Sequence, residues 1–293
     1  MNGELAALGA AFLWATATIM FGQLGKSLSP LLLNLAKGAI AIGLLLITLL
    51  LLGRPATGLE PKPILLLILS GMVGIGLGDT AYFTAINRIG ARQALLLETL
   101  APAMAAGLAV ILLGESIGLQ SWAGILLILA GVSWVISQRL PQPEERPLQP
   151  GGGVIYGVLA ALGQATGAVL SRAALAHSPI NPLWSSLLRL IGGGLLIIAI
   201  LVGQREVRNQ IRPLQNPRII AMVGLAALLG TYLAIYLQQV ALKHSAAGIA
   251  QALTGTSPLF VLPMAAALGD RVNGRTVAGV VIALVGMFLL FKR

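Results

Sequence analysis

Long stretches of this chain carry no formal charge, and that limits the fold more than any other feature. Residues 5–25, 116–138, 147–171, 219–242 and 244–269 contain no Asp, Glu, Lys or Arg. About 20 apolar residues at 1.5 Å rise cross a hydrocarbon layer of ~30 Å. One such run could be a helix buried in a soluble core. Five leave too little polar chain to bury them, so the sequence reads as a polytopic membrane protein.

Composition supports this reading. Only 10% of the 293 residues are charged, against about 25% in a soluble domain. The net charge of +10 would suggest nucleic acid in a soluble protein. Here the cations sit mostly in short gaps between apolar runs, where they act as topology signals and headgroup contacts, so no nucleic-acid partner is expected. Cysteine is absent, which excludes disulfides, thiolate metal sites and Cys nucleophiles.

Turn residues and charges divide the chain into ten expected spans: 4–24, 30–52, 63–86, 91–112, 119–137, 153–174, 182–202, 217–241, 245–267 and 275–291. Met1-Asn2-Gly3-Glu4 lacks the basic start of a cleavable signal peptide, so the first run is expected to be a retained helix. A Pro-rich connector (139–152) separates a first five-span unit, 1–138, from a second, 153–293.

The two units resemble each other. Ala10, Ala11, Ala15 and Thr16 match Ala160, Ala161, Ala165 and Thr166 at an offset of 150. Lys37 matches Arg189 at 152, and Pro102 matches Pro258 at 156. Gly114, Gly124 and Gly131 match Gly269, Gly279 and Gly286 at 155. Five spans is an odd number, so the second copy must enter the membrane upside down. Inverted repeats with a midplane site between the copies are a common build of secondary transporters. A duplicated scaffold without transport is the alternative.

Several motifs now carry a family resemblance. They are Trp14 in the first span, Ala85-Ile86-Asn87-Arg88-Ile89-Gly90-Ala91, Ala101-Pro102 and Gly114-Glu115. The second unit repeats them as Ala241-Leu242-Lys243-His244-Ser245-Ala246, Ser257-Pro258 and Gly269-Asp270. Together they resemble the drug/metabolite transporter superfamily, and within it the EamA-type ten-helix exporters. The resemblance covers nearly the whole chain. It implies an all-α integral membrane fold, two inverted five-helix repeats around a central cavity, and export of small organic metabolites across a bacterial inner membrane.

Four ionisable residues lie deep in expected spans: Lys37, Asp79, Glu98 and Arg189. A charge at a helix centre costs ~2.5–3.5 kcal/mol on insertion scales, so such residues normally face a cavity or a partner. Lys37, Asp79 and Glu98 stand at one level, about 10 Å below one face at 1.5 Å per residue. They are expected to cluster, either as a static ion pair or with a spare carboxylate serving proton coupling. Arg189 has no acidic mate in its own half, since Ile235 and Thr254 stand where Asp79 and Glu98 would repeat. It is expected to face the cavity and meet an anionic group of the substrate, with snorkelling to headgroups as the alternative.

Proline frees the carbonyl four residues earlier. That carbonyl belongs to Glu98 for Pro102 and to its repeat mate Thr254 for Pro258. The breaks are read as packing kinks or as a gate. Uncharged groups complete the candidate substrate site: Trp14 and its mate Gln164, Asn34, Tyr82, Tyr232, Tyr236, Gln239, Gln251 and Thr254. Ordinary interhelical hydrogen bonding is the alternative for each of them. Trp122, Trp134 and Trp184 fall near span ends as interfacial anchors. Gly71, Gly74 and Gly78 are read as sites of close helix approach.

Gly74-Ile75-Gly76-Leu77-Gly78 lacks the spacing of a dinucleotide loop, and Gly25-Lys26-Ser27 lacks the first glycine of a phosphate loop. The two histidines, His177 and His244, lack metal-ligand spacing. No cofactor, no metal and no enzymatic activity are expected. The leading reading is a secondary transporter, favoured as a monomer, with a small-molecule substrate, membrane lipids and protons as partners. A lipid or lipid-linked sugar translocase and an integral-membrane enzyme are the alternatives. The resemblance implies cytoplasmic termini, whereas a count of six cations on the terminal face against eleven opposite points the other way.

Overall fold

The computed structural model of the chain describes residues 3–25, 27–53, 60–138, 150–176, 178–202, 212–260 and 274–291, without the side chains of 90–93, 138, 150, 151 and 212. The end of the ninth expected span, most of the connector, His177, Lys26, Arg54, Arg92, Arg139, Arg146, Arg205, Arg208, Arg212, Arg271, Lys292 and Arg293 therefore lie outside the description of structure or side chains. The described residues are predominantly helical, with no strand among them.

The first half comprises α1 (Gly3–Leu24), α2 (Pro30–Leu51), α3 (Pro61–Gly71), a π-helical segment (Met72–Asp79), α4 (Thr80–Glu98), α5 (Ala101–Leu113) and α6 (Leu119–Gln138). The second comprises α7 (Pro150–Leu175), α8 (Pro182–Val202), a 3₁₀ turn (Arg212–Gln215), α9 (Pro217–Ala227), a second π segment (Leu228–Leu233), α10 (Ala234–His244), α11 (Ala247–Thr254) and α12 (Gly274–Phe291). Nine stretches among the described residues are long and apolar enough to cross a membrane, and their bounds fall close to nine of the expected spans. Of the remaining one, α11 is described.

Local chemistry sets the helix ends. Ser29 caps α2 by accepting from the Leu32 amide, and Pro30 opens it. Asn216 caps α9 by accepting from Arg218, with Pro217 at the first turn. A side-chain acceptor satisfies an orphan amide there, and proline has no amide to lose. Gly114 ends α5 at φ 63°, a left-handed turn that residues with a Cβ avoid. The outer faces are aliphatic, with Leu50, Leu51, Ile111 and Val202 each about four-fifths exposed. Such a surface suits acyl chains rather than water.

The halves interlock. α1 packs on α10, α11 and the second π segment, while α7 packs on α3, α4, α5 and the first π segment. α2 meets α8, and α6 meets α12. Glycines show how the copies are related. A Cβ on Gly124 would collide with the Gly286 carbonyl, and one on Gly131 with the Gly279 carbonyl. Gly124 and Gly279 are repeat mates, as are Gly131 and Gly286. Each glycine thus meets the mate of the other, the exchange that a two-fold relation produces. Their order also makes α6 and α12 antiparallel, which the inverted-repeat expectation required.

Both π segments fall at matching places, since Met72 and Leu228 are 156 residues apart, the offset that relates Pro102 to Pro258. The proline breaks match too. α4 stops at Glu98 and α11 at Thr254, and helix resumes at Ala101 and Ser257.

Candidate functional site at the seam between the halves

Asp79 ends the first π segment and receives a donor from each half. Its Oδ2 accepts from Lys37 Nζ at 2.7 Å, and its Oδ1 from Gln164 Nε2 at 2.8 Å. The Lys37 and Asp79 side chains are 9% and 18% exposed. The ammonium also lies 5.4 Å from the ring centroids of Phe21 and of Phe83, inside the range of cation–π attraction.

The expected three-charge cluster is divided. Lys37 takes Asp79, and Glu98 keeps a buried Oε2 with no hydrogen-bond partner. Asp79, Tyr82 and Glu98 stay within electrostatic reach of one another. Glu98 lines a cavity of ≈ 70 Å³ together with Thr99, Pro102, Gly255, Ser257 and Pro258. Both helix breaks therefore open onto the spare carboxylate.

Arg189 is 2% exposed, so it does not snorkel. Its Nη1 donates to Gln238 Oε1 at 3.1 Å, and its Nε has no partner. A Cβ built on Gly74 would stand 3.2 Å from Nη2, so the guanidinium lies against the backbone of the first π segment. No carboxylate among the described residues pairs with it.

From Gln238 a polar chain runs to the first half. Gln238 Nε2 donates to Gln251 Oε1 at 3.3 Å, and Gln251 Nε2 donates to the Gln164 carbonyl at 3.3 Å. Thr254 Oγ1 donates to the Gln251 carbonyl at 3.1 Å and to its Oε1 at 3.2 Å. Gln164 then reaches Asp79, so Arg189 and Lys37 stand at the two ends of one line across the seam. The chain runs Arg189–Gln238–Gln251–Gln164–Asp79–Lys37.

The π segments hold other expected site residues. Asn34 Nδ2 donates to the Ile75 carbonyl at 2.9 Å, and Trp14 Nε1 to the Gly230 carbonyl at 2.8 Å. A π turn displaces carbonyls from the α-helical ladder, which leaves them available to side chains. Tyr232 shares a hydrogen bond with Thr48 at 2.7 Å. Tyr236 packs among aliphatic side chains. Gln239 is fully buried and accepts from Ser185 at 2.6 Å, which makes it a tie between α8 and α10. Gln238, one residue earlier, carries the link to Arg189 and was not among the expected residues. The signal that could have found it was the unanswered charge of Arg189.

Close approach tightens the seam. A Cβ on Gly71 would overlap the Arg189 carbonyl, and one on Gly192 the Ile68 carbonyl. Gly74 and Gly78 meet Gly167 and Gly163 backbone to backbone. On the face carrying the amino terminus, Glu115 Oε1 accepts from Arg172 Nε at 2.6 Å. Arg172 Nη1 also donates to the Leu242 and Lys243 carbonyls, and Glu115 Oε2 accepts from the Ala247 amide. That ion pair ties both halves together on this face. Trp134, half exposed, donates to the Arg275 carbonyl as an outer anchor. Trp122 and Trp184 pack partly buried against the main apolar cluster.

Comparison with known proteins agrees with this architecture. The model of the EamA-like transporter family matches residues 1–137 and again 151–292. A Clostridium kluyveri protein described as an uncharacterized transporter is 31% identical over 126 residues, 43% of this chain and 40% of that protein. The match thus spans about two fifths of that relative. A crystal structure of another protein superposes with TM-score 0.78 over 98% of this chain and 96% of the other, at 18% identity. That similarity concerns the fold.

Proposed function

Because the chain belongs to the EamA-like transporter family, we propose that this multi-pass membrane protein is a secondary active exporter of small organic metabolites, amino-acid-like or otherwise small and anionic. It works by alternating access between two inverted five-helix repeats, 1–138 and 153–293, in a bacterial inner membrane with both termini in the cytoplasm. One observation supports this reading above the others: a deeply buried guanidinium that pairs with no carboxylate among the described residues, at one end of a polar chain that crosses the seam. A carboxylate on the cargo would answer that charge, as buried charges require a partner. Glutamines 238, 251 and 164 supply donors and acceptors to orient the rest. Glu98, whose buried Oε2 has no hydrogen-bond partner, stands between the two helix breaks as the carrier for a coupled proton.

Metabolite profiling of cells that overexpress the protein tests this. Solutes should accumulate outside with the unmodified chain and fall to background with Arg189→Gln. Glu98→Gln should abolish the dependence of export on a proton gradient. Unchanged export of every anion in Arg189→Gln would overturn the binding role. Scrambling of labelled lipid in vesicles, with no export of soluble metabolites, would favour lipid translocation instead.

A further inference from the structure

The lipid-facing flank between α2 and α8 opens into a groove of ≈ 190 Å³. It is larger than the cavity at the helix breaks and separate from it in lining residues. Its walls are aliphatic, formed by Ile42 on one helix and by Ile191, Leu195 and Ile198 on the other. Gly38 and Gly194 widen it, for a Cβ on either would meet nothing within 4 Å. Leu195 and Ile198 are 57% and 46% exposed, so the mouth faces the acyl layer.

One polar residue stands in this wall. Asn34 is 1% exposed, and its Nδ2 is committed to the Ile75 carbonyl. Its Oδ1 is buried with no partner. A buried acceptor left unpaired costs about 1–3 kcal/mol, and the surrounding hydrocarbon offers no donor. A lipid acyl chain would fill the walls and leave this oxygen unanswered. A small polar metabolite would answer the oxygen and leave the walls empty. An ammonium would reach the oxygen but bury its charge among walls that hold no acid.

We propose that this groove is a binding site for a neutral amphiphile: an alkyl segment carrying a hydroxyl that donates to Asn34 Oδ1. The ligand enters sideways from the acyl layer. This goes beyond the export reading, because the groove contains neither Arg189 nor Glu98 and its occupancy is read without transport.

The test uses a photoreactive diazirine derivative of octanol on the full chain in nanodiscs, with cross-linked residues mapped by mass spectrometry. Saturable labelling is expected at the groove walls on α2 and α8, competed by plain octanol. Asn34→Leu should weaken it about tenfold, the loss of one hydrogen bond to a buried acceptor. Gly194→Leu, which enters open space, should abolish it while the protein stays folded. Competition by octane or octylamine as effective as that by octanol overturns the assignment, leaving a groove that accepts any chain. Labelling indifferent to Gly194→Leu overturns the location.

Discussion

Lys37 and Asp79 give the sharpest test of how charge is held inside this bundle. Asp79→Asn keeps the shape of the side chain and an acceptor for Gln164, and removes only the negative charge. The Lys37 ammonium, 9% exposed, then retains two aromatic faces and no counter-ion. Lys37→Met does the reverse, leaving Asp79 with the Gln164 amide alone. Removing one partner of a buried pair costs about 3–5 kcal/mol. The retained amide contacts place each single substitution near the lower end, about 3 kcal/mol. Replacing both partners removes the orphan charge, so the double variant should lose only about 1 kcal/mol. The cycle is read by equilibrium unfolding in mixed micelles, followed by circular dichroism. Losses that simply sum, within the ~0.5 kcal/mol typical of independent sites, would refute a coupled pair. The double variant also separates structure from function. If it is stable and still exports, the pair is a clamp between α2 and the π segment; if it is stable and silent, the cargo uses the charges.

Three further outcomes follow from the packing. Gly131→Leu drives a side chain into the Gly279 carbonyl and the Ala283 backbone, so it should cost at least the ~1–3 kcal/mol of an overpacked core; Gly107→Leu, which meets nothing within 4 Å, should leave Tm unchanged. Trp14→Phe removes the indole bond to the Gly230 carbonyl and should cost about 0.5–1.5 kcal/mol, measured as a small fall in Tm with folding intact. Glu115→Gln leaves Arg172 without its counter-ion and loosens the tie on the terminal face. In this cysteine-free chain, maleimide labelling of an introduced Ser245→Cys should then speed up several-fold, and an unchanged rate would show that the ion pair does not hold that face shut.

The spans were legible because hydrocarbon forces apolar runs of nearly fixed length, and the bounds of α1, α2 and α8 fall within a residue of expectation. Depth alone brought Lys37 and Asp79 to one level. Choosing between the two acids was beyond it, because that depends on helix rotation, and only Asp79 sits where the π segment turns it toward α2 and α7. The π segments themselves left no trace in hydropathy, since they change which amide meets which carbonyl and not which residues are apolar. Arg189 was flagged by its lack of an acid, but its contact with Gln238 was not foreseen, and Gln239, expected to line the site, instead ties α8 to α10. The π segment just upstream shifts the angular register of α10, so a spacing of 3.6 residues per turn does not carry across it.

The swapped pairing of the halves bears on how the chain is made. When the first five helices have left the ribosome, the indole of Trp14 still has no carbonyl to meet, and the surface that α1 will cover is not yet synthesised. Newly inserted α1 must wait in lipid until the eighth crossing arrives. Neither half is therefore expected to fold alone, and separately expressed halves should mature only when inserted together, each in its own direction across the bilayer.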